Sequence, residues 1–474
     1  MQDTEICYMS AVDMAQAIRT RKLSPVEVVN AVLSRIERLN PKINAYCTLL
    51  VESAKKQARE AEAKVMKEGE LGPLHGIPVS IKDLTYTKGV RTTSGSKIYE
   101  NFVPNYDAIV VERLKAAGAI MLGKTNTPEF GFTGTTDNLL FGPTRNPWNL
   151  ERHAGGSSGG AAAAVAAGMG QLAQGSDGGG SIRIPSSFCG VFGIKPSFGR
   201  VPRGPGYPGW QTLSHCGPIT RTVTDAALVL EIMAGRDDRD RYSLPDTNLH
   251  YLSLLGGNLK GLRVAWSPDL GYAAVEPQTL EKTSEGVSIF ETLGCTVEMA
   301  TPNITDPGQA FGLIWAVSYA IAYSDMLDEW SDQMNPDLVA LIEQGKDKLA
   351  TEYAQAEIER EELFDRLMQF FDRYDLLLTP ATAVSAFNIN QFEATEIGEV
   401  KGPPTFDWTP FTYPFNLTGQ PAASVPCGWT DGGLPVGLQI VGRRFDDAMV
   451  LKAAAAFESA SPWAHKRPPL DGKT

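Results

Sequence analysis

Residues 155–181 read GGSSGGAAAAVAAGMGQLAQGSDGGGS. Ten of these 27 residues are glycine, yet an alanine run interrupts them, so the stretch is a folded segment rather than a flexible linker. The pattern predicts a helix over 159–167 and a short strand over Leu172–Gln174, with glycine and serine crowding the turns on either side. Glycine at that density inside a folded unit lets backbone groups approach a ligand closely.

Outward from this segment, short apolar runs at Ile77–Lys82, Ala119–Leu122, Leu262–Trp266, Asp375–Thr379 and Val436–Val441 read as strands, separated by helical patterns such as 107–117 and 278–292. Strands alternating with helices define an α/β class, a sheet covered by helices on both faces. At the beginning, Ser24-Pro25-Val26-Glu27 supplies an N-cap, an N1 proline and a capping-box glutamate, and Val28, Val32, Ile36 and Leu39 follow on one face. A second helix is expected over 51–69, with Ala54, Ala58, Ala61 and Val65 at similar spacing. Residues 236–258 are polar and interrupted by proline, and 306–372 reads as helical. The expected organisation is a helical region over 1–72 packing on a sheet core over 73–235, then a linker and helical excursion over 236–374, and a return to the sheet over 375–474, all within one compact catalytic domain.

The 474 residues are 43% hydrophobic and 21% charged, ordinary globular usage that excludes disorder, collagen-like repeats and a disulfide scaffold. A net charge of −12 without a basic stripe argues against a nucleic-acid partner. The six cysteines, Cys7, Cys47, Cys189, Cys216, Cys295 and Cys427, are scattered without C-x-x-C or zinc-ligand spacing, so reduced thiols and no metal are expected. The beginning, MQDTEICYMS, lacks a signal-peptide pattern, and the longest apolar run, around Ala161–Ala167, falls short of the ~20 residues of a membrane span. The cytoplasm is the expected location, with no membrane association.

Three motif matches fail on context. Gly118 to Thr125 fits G-x-x-x-x-G-K-[ST], but its variable residues are themselves strand-like and Pro128 stands where a helix should run. Gly204 to Gly209 fits G-x-G-x-x-G, but carries two prolines and no βαβ frame. Gly155-Gly156-Ser157-Ser158-Gly159 fits the G-x-S-x-G elbow of α/β-hydrolases, but no strand is expected before it, and none of His215, His250 and His465 falls at a clear strand end. With only five histidines available, Lys82 is the candidate base, because it closes an apolar strand where burial would lower its pKa.

The runs Gly155-Gly156-Ser157-Ser158-Gly159-Gly160, Gly175-Ser176-Asp177-Gly178-Gly179-Gly180-Ser181-Ile182-Arg183-Ile184-Pro185, Phe188-Cys189-Gly190 and Gly193-Ile194-Lys195-Pro196 resemble the amidase signature family. The likeness extends upstream through Gly76-Ile77-Pro78, Lys82-Asp83 and Gly123-Lys124-Thr125-Asn126, and downstream through Gly217-Pro218-Ile219-Thr220-Arg221 and Asn416-Leu417-Thr418-Gly419-Gln420-Pro421, and is weakest over 240–370. It implies the amidase signature fold, a mixed sheet between helices, and a Ser-cisSer-Lys triad: Ser181 as nucleophile, Ser157 as bridging serine after a cis peptide, and Lys82 as base. Neutral Lys82 would take a proton from Ser157, which takes one from Ser181, so a serine attacks an amide without histidine and forms an acyl-enzyme. Gly178, Gly179, Gly180 and Ser181 would supply oxyanion N–H groups. Gly178 departs from the family, which more often has threonine or a larger residue there. Ser158 is the rival bridging serine, and its alternative role is a helix cap. Asp177 and Arg183 are expected to form an internal ion pair that supports the loop.

The resemblance includes the glutaminase component of tRNA-dependent amidotransferases, but Thr127-Pro128-Glu129-Phe130-Gly131-Phe132 and the segment Gly206 to Cys216 depart from that component. A stand-alone amidase, of the aryl acylamidase or urethanase kind, is therefore expected: it acts on apolar or aryl amides and also on esters and carbamates. Phe130, Gly131, Phe132, Thr133, Tyr207 and Trp210 are the candidate substrate contacts, and Phe141, Trp408 and Phe415 are further aromatics, each with a core role as its alternative. The other readings are the amidotransferase glutaminase and, in a different class, a non-catalytic binding protein on the same fold. No cofactor is expected; the partners are a small-molecule amide and water, in a monomer or homodimer.

Overall fold

Val79 and Ile81 put two apolar side chains on one face of the strand Pro78–Lys82, Ser80 and Lys82 fall on the other, and the strand is buried along its whole length. In this computed structural model, which describes residues 2–67, 69–205, 210–247, 249–391, 394, 396–397, 400–401 and 408–471, that strand lies inside an eleven-stranded sheet. The strand order is Tyr46–Leu49, Ile120–Thr125, Pro78–Lys82, Leu172–Asp177, His215–Thr220, Phe192–Lys195, Ala422–Trp429, Pro435–Gly442, Leu376–Pro380, Arg263–Trp266 and Thr296–Met299. Pro78–Lys82 runs parallel to both its neighbours, Ile120–Thr125 and Leu172–Asp177. From Leu172–Asp177 to Leu376–Pro380 the pairings are antiparallel, and the last two are parallel again, so the sheet is mixed.

The expected strands all form, within a residue or a few of their expected ends. Helices form at Pro25–Ile43, Val51–Met66, Ile109–Ala116 and Pro277–Thr292, and the first begins with the expected capping box, Ser24 with Glu27. Several expectations are corrected. The first 72 residues are not only helical, because Tyr46–Leu49 pairs antiparallel with Ile120–Thr125 at the sheet edge. The sheet also resumes at Arg263–Trp266 and Thr296–Met299, within the region read as linker and excursion. A strand does precede Gly155: Asn149–His153 pairs with Arg145–Asn146 in a separate hairpin, outside the main sheet. His215 opens the strand His215–Thr220 and so does stand at a strand end.

The helical excursion contains Gly308–Tyr323, whose Phe311, Ile314, Trp315, Tyr319 and Tyr323 are buried. With the helical turns that follow, Gly308–Gln333 contains an 18-residue window apolar enough to pass for a membrane span, at a mean hydropathy of 1.3, a feature that the reading of apolar runs missed. Half of that window is buried inside the fold, where its aromatic side lies against Phe130, Phe132 and Trp210.

Candidate active site

Because Pro78–Lys82 and Leu172–Asp177 are parallel, with Ile81 opposite Gln174, their C-terminal ends emerge on the same edge of the sheet. Lys82 is fully buried there. Its Nζ donates to Ser157 Oγ at 2.7 Å, to Ser158 Oγ at 2.9 Å and to Ser176 Oγ at 3.1 Å. Burial pushes the Lys82 pKa down to about 7, with Asp177 and Cys216 opposing the shift, so the amine is available as a base near neutrality.

The Gly156–Ser157 peptide is cis. Ser158 holds the N-cap position of the helix Gly159–Ala166 but makes no capping hydrogen bond; its hydroxyl accepts from Lys82 and donates to the Ser176 carbonyl at 3.1 Å. The capping alternative for Ser158 is thereby corrected: Lys82 outcompetes the helix for its oxygen. Ser158 N–H donates to the Ser181 carbonyl at 3.2 Å and ties the two serine segments together. Ser181 is partly exposed, and among the described residues no hydrogen bond joins its hydroxyl to Ser157. Such bonds commonly tighten only when substrate is bound.

The turn after Asp177 is organised from below. Gly180 N–H donates to Asp177 Oδ1 at 2.8 Å and Ile182 N–H to Oδ2 at 3.1 Å. Gly180 is thus withdrawn from the four expected oxyanion donors, because its N–H is engaged by a buried carboxylate. The N–H groups of Gly178, Gly179 and Ser181 meet no acceptor among the described residues. Asp177 and Arg183 form the expected internal ion pair at 2.9 Å, both fully buried, and Arg183 also donates to Asn416 Oδ1 at 2.6 Å and Gln439 Oε1 at 2.9 Å. Burial alone would raise the Asp177 carboxyl, but the Arg183 guanidinium holds it well below the usual carboxylate range.

Ser181 and Gly179 form one side of a small cavity. Of the candidate substrate contacts, Gly131, Phe132, Thr133 and Trp210 line it. Phe130 does not; it is buried behind the wall and stacks on Tyr323 at 4.1 Å. Tyr207, with Gly206, Pro208 and Gly209, lies outside the described residues. Trp408 lines the cavity, whereas Phe415 is core and Phe141 sits under the Arg91 guanidinium. Sequence reasoning missed Phe311, Trp315 and Tyr413, which complete the aromatic walls. A signal for the first two was present: aromatic residues recur at every fourth position, 311, 315, 319 and 323, down one side of a helix. None of the cavity's lining residues among those described is charged. A second small cavity is lined in part by Ser176 and Cys216 and does not include Ser181.

The other candidate groups are engaged elsewhere. Lys124, in the phosphate-loop look-alike, is buried in the strand Ile120–Thr125 and donates to Thr92 Oγ1 at 3.0 Å, with Asp83 at 4.0 Å. His215 Nδ1 lies 2.7 Å from the Leu213 carbonyl, and burial keeps the ring neutral. Among the described residues no cluster of three or more His, Cys, Asp or Glu could hold a metal, and the cysteines are unpaired.

With this geometry in view, a family model described as Amidase matches residues 27–451. The chain is 42% identical to an acylamidase of Rhodococcus erythropolis over 99% of its own length and 98% of that protein. It is 38% identical to a glutamyl-tRNA(Gln) amidotransferase component of Carboxydothermus hydrogenoformans, covering 98% of this chain and all of that one. The crystal structure of a bacterial aryl acylamidase superposes with a TM-score of 0.93 at 32% identity, over 98% of this chain and 99% of that one. The chain belongs to the amidase signature family and is an amide-hydrolysing enzyme.

Proposed function

We propose that Ser181 is the nucleophile, Ser157 the proton relay and Lys82 the base of a serine amidohydrolase acting on neutral amides that carry an aromatic or bulky apolar group. The observation that carries this reading is a buried, neutral-leaning Lys82 within 2.7 Å of Ser157, beside a serine that opens on an aromatic cavity. As Ser181 Oγ attacks the carbonyl carbon, its proton passes to Ser157 and that of Ser157 to Lys82. The oxyanion is received by the N–H groups of Gly178, Gly179 and Ser181. Collapse breaks the C–N bond, Lys82 returns the proton through Ser157 to the leaving amine, and water releases the acyl group by the same route. Esters and carbamates have the same carbonyl geometry and fall within this chemistry.

Among the described residues no charged side chain lines the cavity, which supports a stand-alone acylamidase over an amidotransferase glutaminase, because glutamine would bring an ammonium and a carboxylate to which these residues offer no countercharge. The cytoplasm is the proposed location, and the protein acts without a cofactor. The test is hydrolysis of 4-nitroacetanilide, a primary aliphatic amide, glutamine, a 4-nitrophenyl ester and an aryl carbamate by the wild type and by Ser181→Ala. Turnover of the aryl substrates that is lost in the variant supports the proposal. Turnover of glutamine alone transfers the chain to the amidotransferase reading.

A further inference from the structure

The turn between Asp177 and Ser181 holds three consecutive glycines, and they are glycine for different reasons. Gly180 sits at φ +138, a backbone that side chains rarely adopt. Gly178 and Gly179 are not among the glycines with positive φ, so their backbone tolerates a side chain. Neighbouring rings exclude one instead. A Cβ on Gly178 would lie 2.1 Å from Trp210 Cε3 and 2.2 Å from Cζ3, and a Cβ on Gly179 would lie 2.6 Å from Phe311 Cζ.

These rings cannot simply step aside. Trp210 meets Phe311, Trp315 and Tyr319 edge to face, at centroid distances of 6.4, 6.0 and 5.4 Å. Phe311 stacks on Tyr413 at 5.0 Å. Trp210 is itself held at φ 50, a left-handed conformation that bulky residues rarely adopt and that persists only where surroundings enforce it. The same two rings face the cavity beside Ser181.

We infer that Trp210 and Phe311 are positioning residues: seated on Gly178 and Gly179, they fix the turn whose N–H groups receive the oxyanion, so that filling the aromatic cavity and aligning the donors are one event. Bulk at positions 178 and 210 is then mutually exclusive, which accounts for glycine at 178 in a chain with tryptophan at 210. This inference rests on the reading of Ser181 as nucleophile.

The test is a double-mutant cycle in the full chain, with Gly178→Thr, Trp210→Ala and the pair, reading kcat and KM on an anilide. Loss of one oxyanion donor lowers kcat by about 10²- to 10³-fold. Gly178→Thr is expected to fall in that range, Trp210→Ala to lower kcat as well as raise KM, and the pair to recover at least about tenfold over Gly178→Thr alone. Trp210→Phe is expected to restore most of the kcat lost in Trp210→Ala. A pair no better than Gly178→Thr, or a Trp210→Ala variant altered in KM alone, overturns the inference and leaves the ring a plain wall. If Gly178→Thr does not fold, Gly178→Ala reads the same coupling, because the clash is already with Cβ. Full activity in Ser181→Ala would instead sink the underlying assignment of the nucleophile, a result distinguishable from a null coupling.

Discussion

In the proposed mechanism Lys82 begins the reaction uncharged, and its surroundings favour that: it is taken out of water, and its hydrogen-bond partners are three hydroxyls rather than a carboxylate. Burial lowers its pKa to about 7, so the protonated, inactive form dominates below neutrality. Activity is therefore expected to rise with pH through about 7 and then level off, as read from kcat/KM on an uncharged anilide; a flat profile from pH 6 to 8 would remove Lys82 as the base. The three hydroxyls are not equivalent. Ser157→Ala breaks the proposed relay and is expected to reduce kcat by at least about 10³-fold, whereas Ser158→Ala removes an orienting bond to Lys82 and the bonds to the Ser176 backbone and is expected to cost about tenfold. Equal losses in the two variants would mean that either serine can bridge. The proposed triad was named from the family resemblance, but the bonds of Ser158 and Ser176 to Lys82 were not foreseen, because they follow from tertiary structure, in which two strands separated by about ninety residues of chain lie in parallel register.

Among the elements, the helix Arg183–Cys189 carries the other buried charge of the site. Removing one member of a buried pair leaves its partner uncompensated, so Arg183→Ala is expected to destabilise the fold by about 3–5 kcal/mol in urea unfolding. The pair also sets an acid limit. The Asp177 carboxyl is depressed when folded, so its contribution is full above its unfolded value near 4 and is lost as the pH falls below that. The proposed aryl preference draws on a different element, the helix Gly308–Tyr323, whose Phe311 and Trp315 line the cavity. Trp315→Leu is expected to raise KM for an anilide about tenfold over the matching aliphatic amide, since an aromatic contact is worth up to ~1.5 kcal/mol beyond its buried area. Equal changes for both substrates would mean that the aryl group binds elsewhere. Elements were legible from the sequence where a short, mostly apolar run stood out, as in Pro78–Lys82 and Leu376–Pro380. They were hidden where glycine or proline punctuates a strand. His215–Thr220 contains Gly217 and Pro218, and Ala422–Trp429 shifts register between Pro426 and Gly428. Of the aromatic walls, Phe132, Trp210 and Trp408 were named from the sequence, whereas Phe311, Trp315 and Tyr413 were not, because residues near 130, 210, 311 and 408 meet only in the tertiary fold.

On the scale of the whole molecule, the first 72 residues are part of the catalytic unit rather than an accessory to it. Pro25–Ile43 buries Val28, Val29, Val32, Ile36, Leu39 and Ile43, and Tyr46–Leu49 completes the sheet edge. Polar bonds point the same way. The N–H groups of Ala11 and Val12 each donate to the buried Asp225 carboxylate at 3.0 Å, the Tyr46 hydroxyl donates to the Met169 carbonyl at 2.6 Å, and Gln171 Nε2 donates to the Ile6 carbonyl at 3.2 Å. Arg35 bridges the opposite end of the chain, bound to Asp471 at 2.9 Å while its Nε donates to the Ala167 carbonyl, just beyond the helix that follows Ser158. A fragment spanning 73–474 would expose that apolar face and leave Asp225 without two of its donors, a loss that exceeds the margin of about 5–15 kcal/mol of a typical domain. The fragment is therefore expected to be insoluble or to lack a cooperative thermal transition by circular dichroism, while the full chain melts in one step. A soluble fragment that melts cooperatively would show instead that the sheet from Ile120–Thr125 onward stands without its edge strand, and that residues 1–72 fold onto an already complete core.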